Sequence, residues 1–195
     1  MNVLSIDPGT RTGWAALCNG RLYSGVQDFT LRRGESGGIR FLRFDTWLEE
    51  LIQRANPKVV VYEQQHHRGG SATEICVGLV TGLQRIAAAH AIEYASCHTA
   101  TLKKFATGTG KAGKQEMLQA AQKMWPEQQI ETHDQAEALW LLAWARRTIV
   151  GEENGDVKGR HTPATFARNC VFSKNRRTGK TVKLINPGGF TCAAE

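Results

Sequence analysis

The sequence lacks long apolar runs and paired cysteines. No segment approaches the roughly 18 consecutive apolar residues of a transmembrane helix, and the first residues lack the charged and apolar regions of a signal peptide. The five cysteines are odd in number and form no CxxC pair, which argues against a disulfide framework and a zinc knuckle. We therefore expect a cytoplasmic protein in a reducing compartment, with no membrane partner.

Acidic residues are nearly absent from the C-terminal segment. Residues 158–195 contain eight lysines and arginines but a single glutamate, whereas residues 1–157 contain 17 basic and 17 acidic residues. The net charge of +7 thus arises in the last part of the chain. A local basic excess favours a polyanionic partner, with nucleic acid ahead of a membrane surface, although a solubilising tail is the alternative.

Two short, largely apolar segments each end at a carboxylate. Residues 3–6 precede Asp7, and the proline after Asp7 favours an extended conformation at that residue. Lys58–Tyr62 is the clearest buried strand, and Glu63 follows it. Taken alone, Asp7 is equally suited to starting a turn. However, a helix predicted between the two strands makes them parallel, so both acids should lie at one edge of the sheet.

The other strands complete an α/β fold. Strands over Thr12–Leu17 and Arg21–Thr30 are joined at Asn19-Gly20, which is a strong hairpin signal. Ile92–Ala95 adds a further strand. The prediction is a mixed five-stranded sheet, with three antiparallel strands followed by parallel strands, flanked by helices.

A helix is predicted over Ser71–Ala89, after a polar loop. Gly78 and Gly82 lie four residues apart on one face of this helix and allow a close backbone approach. The expected packing partner is the sheet, and a helix–helix dimer contact is the alternative. The preceding loop is either simply solvated or offers three contacts to a phosphate or a base: His66, His67 and Arg68.

Residues 107–114 are rich in glycine and lysine. Gly108–Lys114 matches the GxxxxGK pattern of a P-loop, but Gln115 stands where a P-loop has Ser or Thr, and the preceding segment predicts a helix instead of a strand. The same glycines and lysines can hold a DNA phosphate, so we expect nucleic acid and no nucleotide cofactor. The lysines of this region are Lys103, Lys104, Lys111 and Lys114.

The last helix is predicted over Thr132–Arg147 and starts with a capping box. Asp134 and Glu137 lie three residues apart in its first turn, on one face, where the helix dipole favours carboxylates. Such acids often have no further role. Here, small apolar residues follow and would let the helix lie on the sheet, which directs both acids towards Asp7 and Glu63.

Four carboxylates in one place repel each other unless cations bind between them. Oxygen ligands suit Mg²⁺ or Mn²⁺, and two such ions about 3.5–4 Å apart support phosphodiester hydrolysis. We expect Asp7 to bridge the ions, with a lysine stabilising the charge on the phosphate. The remaining predicted ligands are Glu63 on one side and Asp134 and Glu137 on the other, and the predicted lysine is Lys111 or Lys114.

Four segments together resemble one known family. They are Ile6–Trp14 with the sequence Ile-Asp-Pro-Gly-Thr-Arg-Thr-Gly-Trp, then Tyr62-Glu63, Lys103–Lys114 and His133–Leu139. In their order and spacing they resemble the motifs of RuvC-type Holliday-junction resolvases, which belong to the RNase H-like superfamily. The resemblance spans roughly residues 1–150.

This resemblance implies a homodimer that cuts two opposed strands of a four-way DNA junction, with magnesium or manganese as cofactor. It also implies that the helix with Gly78 and Gly82 helps to form the dimer. Lys103 and Lys114 align with lysines that serve cleavage and phosphate contact.

The sequence departs from the family pattern in places. Glu137 stands where aspartate is usual, and His66 or His67 takes the place of a base-stacking phenylalanine. We predict a nuclease domain over residues 1–150 and a basic extension over residues 151–195, in a phage or mobile-element version of the family. The extension has no counterpart, and its cations look like added contacts to the DNA backbone, among them Arg176, Arg177 and Lys180.

Other functions stay open at this point. An RNase H-like nuclease acting on flaps, forks or RNA–DNA hybrids would use the same acids. A nucleotide-binding module, either P-loop or actin-like, and a non-catalytic junction-binding protein belong to other classes, and the four acids argue against the latter.

Overall fold

A computed structural model describes residues 1–64, 69–151 and 171–173. The strands are β1 (Val3–Asp7), β2 (Arg11–Cys18), β3 (Arg21–Asp28), β4 (Val59–Gln64), β5 (Glu93–His98) and β6 (Val171–Ser173). The helices are α1 (Gly38–Ala55), α2 (Ser71–Ala89), α3 (Thr99–Thr107), α4 (Lys114–Met124) and α5 (His133–Ala145), and a π-helical turn over Arg146–Val150 follows α5. Six predicted DNA contacts lie outside the described residues: His66, His67, Arg68, Arg176, Arg177 and Lys180.

The strands form one mixed sheet in the order β3-β2-β1-β4-β5-β6. The first three strands pair antiparallel, and β1, β4 and β5 pair parallel. This confirms the predicted α/β architecture of five strands flanked by helices. The sixth strand, β6, was not predicted and pairs antiparallel with β5. Three residues are too few for a periodic pattern to reveal a strand.

The hairpin between β2 and β3 turns at the predicted dipeptide. Asn19 and Gly20 have φ values of 48° and 79°, which is the left-handed conformation that a two-residue hairpin turn needs at both positions.

Strand β5 extends three residues beyond the predicted end at Ala95. Ser96 and His98 interrupt the apolar pattern there, but the main-chain pairing with β4 continues as far as Gln64 and His98. Backbone hydrogen bonding, which the side-chain pattern does not report, decides where this strand ends.

Two apolar cores lie on opposite faces of the sheet. One face of β1 carries Leu4 and Ile6, which are buried with residues of α1 and α2. On the other face Val3 packs with residues of α3, α4 and α5, and the Ser5 hydroxyl donates to the Ala138 carbonyl at 2.7 Å. Since side chains alternate along a strand, Asp7 belongs to the α5 face.

Helix α5 approaches the sheet closely because β2 has a glycine beneath its first turn. A methyl group at Gly13 would overlap the carbonyl group of Asp134 and lie 3.2 Å from its Cα. Gly13 is the register partner of Asp7. The absence of a side chain at Gly13 thus lets the start of α5 lie next to the end of β1.

The glycine face of α2 packs against α1 of the same chain. A methyl group at Gly78 would overlap the ring of Phe41, and one at Gly82 would lie 2.7 Å from Asp45 Oδ1. The expectation that this face packs on the sheet is therefore wrong. Packing within the chain accounts for both glycines, so they give no support to the predicted dimer contact.

Within the part of the chain that the structure describes, no helix is both long and apolar enough to cross a bilayer.

Candidate metal centre

Asp7 and Glu63 lie side by side at the ends of two parallel strands. The β1–β4 register pairs Ile6 with Tyr62, so Asp7 and Glu63 occupy the next positions of the two strands. Val59 and Val61 belong to the core on the α5 face, and Glu63 follows them in the alternation. Asp7 is 7% and Glu63 is 5% exposed. Two buried carboxylates thus share one end of the sheet, as the sequence predicted.

Helix α5 brings a third carboxylate to this pair. One ligand oxygen from each of Asp7, Glu63 and Glu137 lies within 4.8 Å of the others. Glu137 is half-buried. These three residues are called the acid cluster below. They come from positions separated by up to 130 residues along the chain and meet because α5 crosses the strand ends.

Asp134 lies one helical turn before Glu137, at the margin of the acid cluster. Its carboxylate is 3.8 Å from Arg11 Nε, and its side chain is 25% exposed. Thr132 caps the helix, since its hydroxyl accepts a hydrogen bond from the Gln135 backbone N–H at 3.2 Å. The cap therefore fixes the helix start. The orientation of the helix about its axis then places Glu137 in the acid cluster and Asp134 nearer to Arg11.

Burial and mutual repulsion raise the pKa values of the carboxyl groups in the acid cluster. The pKa of Asp7 is raised well above its usual value, first by burial and then by the charges of Glu63, Glu137 and Asp134. Burial raises the pKa of Glu63 to about 7. Burial likewise raises the pKa of Glu137, and the hydrogen bond that it shares with Asp7 partly offsets this increase.

The acid cluster has the chemistry of a site for a hard divalent cation. Its donors are carboxylate oxygens, which suit Mg²⁺ or Mn²⁺ better than softer metals. The carboxyl groups of Asp7 and Glu137 share a hydrogen bond, which requires a proton on one of them. A bound cation would neutralise the same repulsion in place of this proton.

Two lysines lie close enough for their charges to act on the acid cluster. The charges of Lys103 on α3 and Lys114 at the start of α4 lower the pKa values of both Glu63 and Glu137. The backbone carbonyl of Lys114 accepts a hydrogen bond from His133 Nδ1 at 3.0 Å, which ties the start of α4 to the start of α5. Lys111 is exposed in the connection between α3 and α4, and Lys104 is exposed on α3.

The glycine-rich segment does not have the setting of a P-loop. Helix α3 precedes it, as predicted, and ends at Gly108, whose φ of 87° is left-handed. A P-loop follows a strand instead.

Sequence reasoning did not single out three residues that shape this site. Gly13 lies inside a recognised motif, but its role depends on the approach of α5. Arg11 pairs with Asp134, and the Thr99 hydroxyl donates to Glu63. No local pattern links either pair, because the partners are far apart in the sequence.

We expect the metal-free protein to lose thermal stability as the pH rises from 5 to 8. The pKa of Glu63 lies near 7 in the folded chain, above the ordinary 4.5. The folded protein therefore retains a proton that the unfolded chain has released, and the free energy of unfolding falls as the pH rises through this window. Thermal unfolding in EDTA at several pH values measures this loss.

The same measurement with Mg²⁺ provides a matched test. A cation that binds only the folded chain adds about 2.7 kcal/mol at 100 times its dissociation constant, so the midpoint at pH 8 should recover. Asp7→Asn should flatten the pH profile in EDTA, since it removes one of the repelling charges. A midpoint that rises with pH in EDTA would contradict the raised pKa of Glu63.

Of three comparisons with known proteins, only the one with solved structures finds a match. No protein-family model matches the chain, and a search of curated proteins finds no match. Among solved structures, Thermus thermophilus RuvC in complex with a Holliday junction substrate matches with a TM-score of 0.62 and 20% identity, covering 73% of this chain and 90% of that one. Another structure of Thermus thermophilus RuvC gives a TM-score of 0.60 at 20% identity, over 75% of this chain and 96% of that one.

The matching region covers almost the whole length of RuvC and includes the sheet with its flanking helices. The chain has the fold of the RuvC Holliday-junction resolvases, which is the RNase H-like fold that its motifs predicted.

Proposed function

We propose that this chain is a metal-dependent endonuclease that hydrolyses phosphodiester bonds in branched DNA, with the four-way junction as its main substrate. The observation that carries the proposal is the acid cluster, in which three ligand oxygens lie within 4.8 Å of one another at the end of the central strands. The fold it shares with RuvC supports the same activity, since one of the matching RuvC structures contains a Holliday junction substrate.

The acids would divide between two cations, Mg²⁺ or Mn²⁺. The charges of all three other acids act on Asp7, so Asp7 would be the acid that both ions share. Glu63 would hold one ion, and Glu137 would hold the other together with Asp134, whose carboxylate lies 3.8 Å from Arg11 Nε. Two bound ions supply an activated water and stabilise the leaving oxygen during hydrolysis.

The lysines at the site would bind the phosphate that is cut. Lys103 and Lys114 already lie within electrostatic reach of the acid cluster, so they are favoured over Lys111 for the charge that builds up on the phosphate. Lys104 and Lys111 are exposed nearby and would contact the DNA backbone further from the cut. The predicted contacts from His66, His67 and Arg68 and from Arg176, Arg177 and Lys180 remain part of this proposal.

Cutting two opposed strands of a junction requires two copies of the site, so we propose a homodimer. The exposed apolar side chains of Leu42 on α1 and Val77 on α2, which are 63% and 43% exposed, support a contact on this side of the molecule. The contact would involve the outer surfaces of α1 and α2, since the glycine face of α2 is already covered by α1.

Incubation of the protein with a panel of end-labelled substrates tests the proposal. The panel holds a four-way junction, a flap, a fork, a linear duplex and an RNA–DNA hybrid, each with Mg²⁺, with Mn²⁺ or with EDTA. We expect cleavage of the four-way junction ahead of the duplex, and none in EDTA. Preferred cleavage of the hybrid or the flap would contradict the junction assignment, and cleavage in EDTA would contradict the role of the metal.

A further inference from the structure

One threonine hydroxyl holds the carboxylate of Glu63. Thr99 Oγ1 donates to Glu63 Oε1 at 2.5 Å, a short distance for a hydroxyl and a carboxylate. Thr99 is the first residue of α3, directly after β5. The β4–β5 register places Glu63 opposite Cys97, two residues before Thr99, so the hydroxyl reaches Glu63 from the end of the neighbouring strand.

Two residues on one face of helix α3 act on the acid cluster. Thr99 and Lys103 are four residues apart and therefore lie above one another on the helix surface. The charge of Lys103 acts on both Glu63 and Glu137. The helix thus presents a hydroxyl to the carboxylate of Glu63 and a cation to the same site.

Glu63 needs a partner of this kind to hold one orientation. Rotation about the last torsion of a glutamate side chain is broad, so burial alone does not fix the plane of its carboxylate. A hydrogen bond to Oε1 fixes that plane and uses one lone pair of this oxygen. One oxygen of the oriented carboxylate lies within 4.8 Å of ligand oxygens of Asp7 and Glu137, so the hydrogen bond fixes Glu63 in a position from which it can share a cation with them.

We propose that Thr99 is a positioning residue, whose hydroxyl orients the carboxylate of Glu63 so that it joins Asp7 and Glu137 around a divalent cation. The inference rests on the proposed function only in requiring that the acid cluster binds a cation. Groups that orient metal ligands in this way affect affinity by 10–100-fold in other metal sites.

The test measures Mn²⁺ binding by the full-length protein without DNA, using isothermal titration calorimetry. Thr99→Val keeps the shape of the side chain and removes the hydroxyl, and we expect its dissociation constant for Mn²⁺ to rise about 10–100-fold. Thr99→Ser restores the hydroxyl and should bind within about threefold of the wild type. Thr101→Val makes the same change elsewhere on α3 and should bind like the wild type. Thr99→Ala serves as the second hydroxyl-free variant if Thr99→Val does not fold by circular dichroism.

Each outcome decides the inference. An unchanged dissociation constant in a folded Thr99→Val or Thr99→Ala overturns it, and so does an equal loss in Thr99→Ser, because the hydroxyl would then not be the cause. A wild type that binds Mn²⁺ with the expected Thr99 dependence but cleaves no branched DNA overturns the proposed function and leaves the inference standing. A wild type that does not bind Mn²⁺ overturns both.

Discussion

Replacing Asp7 with asparagine should lower the rate of junction cleavage at least about 10³-fold while the protein still binds the junction. Asparagine has the shape of aspartate but lacks the charge, and the stabilisation that a metal ion gives a phosphoryl transition state amounts to several kcal/mol. Asp7 is buried, and the charges of Glu63 and Glu137 act on it, so asparagine at this position removes a charged ligand from the acid cluster. Glu63→Gln should behave in the same way.

Single-turnover cleavage of a labelled four-way junction at saturating Mg²⁺ measures the rate, and a mobility shift in Ca²⁺ measures binding. Asp28→Asn is a matched control, since Asp28 also ends a strand but lies outside the acid cluster, where Thr30 donates hydrogen bonds to it. Cleavage by Asp7→Asn within tenfold of the wild type would show that the cluster is not the active site.

Gly13→Ala should destabilise the protein by about 3 kcal/mol, the upper part of the range for overpacking. The added methyl group would overlap the backbone carbonyl of Asp134, and a helix backbone cannot move aside as a flexible side chain can. For a chain of this size, the change corresponds to a fall of about 6–12 °C in the midpoint of thermal unfolding. If the variant folds, α5 must shift, so the affinity for Mn²⁺ should fall as well.

Gly25→Ala is the control on the neighbouring strand. Its methyl group would lie 3.1 Å from the Trp14 indole, a side chain that can yield by a small movement. Thermal unfolding followed by circular dichroism compares the two variants. An equal loss of stability in both variants would contradict the prediction that the close approach of α5 to β2 requires glycine at position 13.

The positions of Asp7 and Glu63 were predictable because they follow from local rules. Each ends an apolar run, and the helix between the two runs makes the strands parallel, which brings the strand ends to one edge. The bounds of α2 and the hairpin at Asn19-Gly20 were predicted for the same reason, since each depends on residues adjacent in the sequence.

The packing partner of the glycine face of α2 was predicted wrongly, because it depended on residues far along the chain. The spacing of Gly78 and Gly82 showed that something packs closely against α2, but it did not say what, and the structure places α1 there. The sequence also did not distinguish between Asp134 and Glu137 in the first turn of α5, and both remain proposed ligands. The rotation of α5 on the sheet gives Glu137 to the acid cluster and leaves Asp134 beside Arg11.

The sequence by itself determined the order of the first five strands and the placement of Asp7 and Glu63 at the ends of two parallel strands, because periodicity and turn chemistry act over a few neighbouring residues. Only the tertiary structure decided which acid of α5 completes the cluster and that Thr99 holds Glu63, 36 residues away in the sequence. The physical reason is that such contacts depend on strand register, helix rotation and the close approach that Gly13 allows. None of these produces a periodic pattern in the sequence.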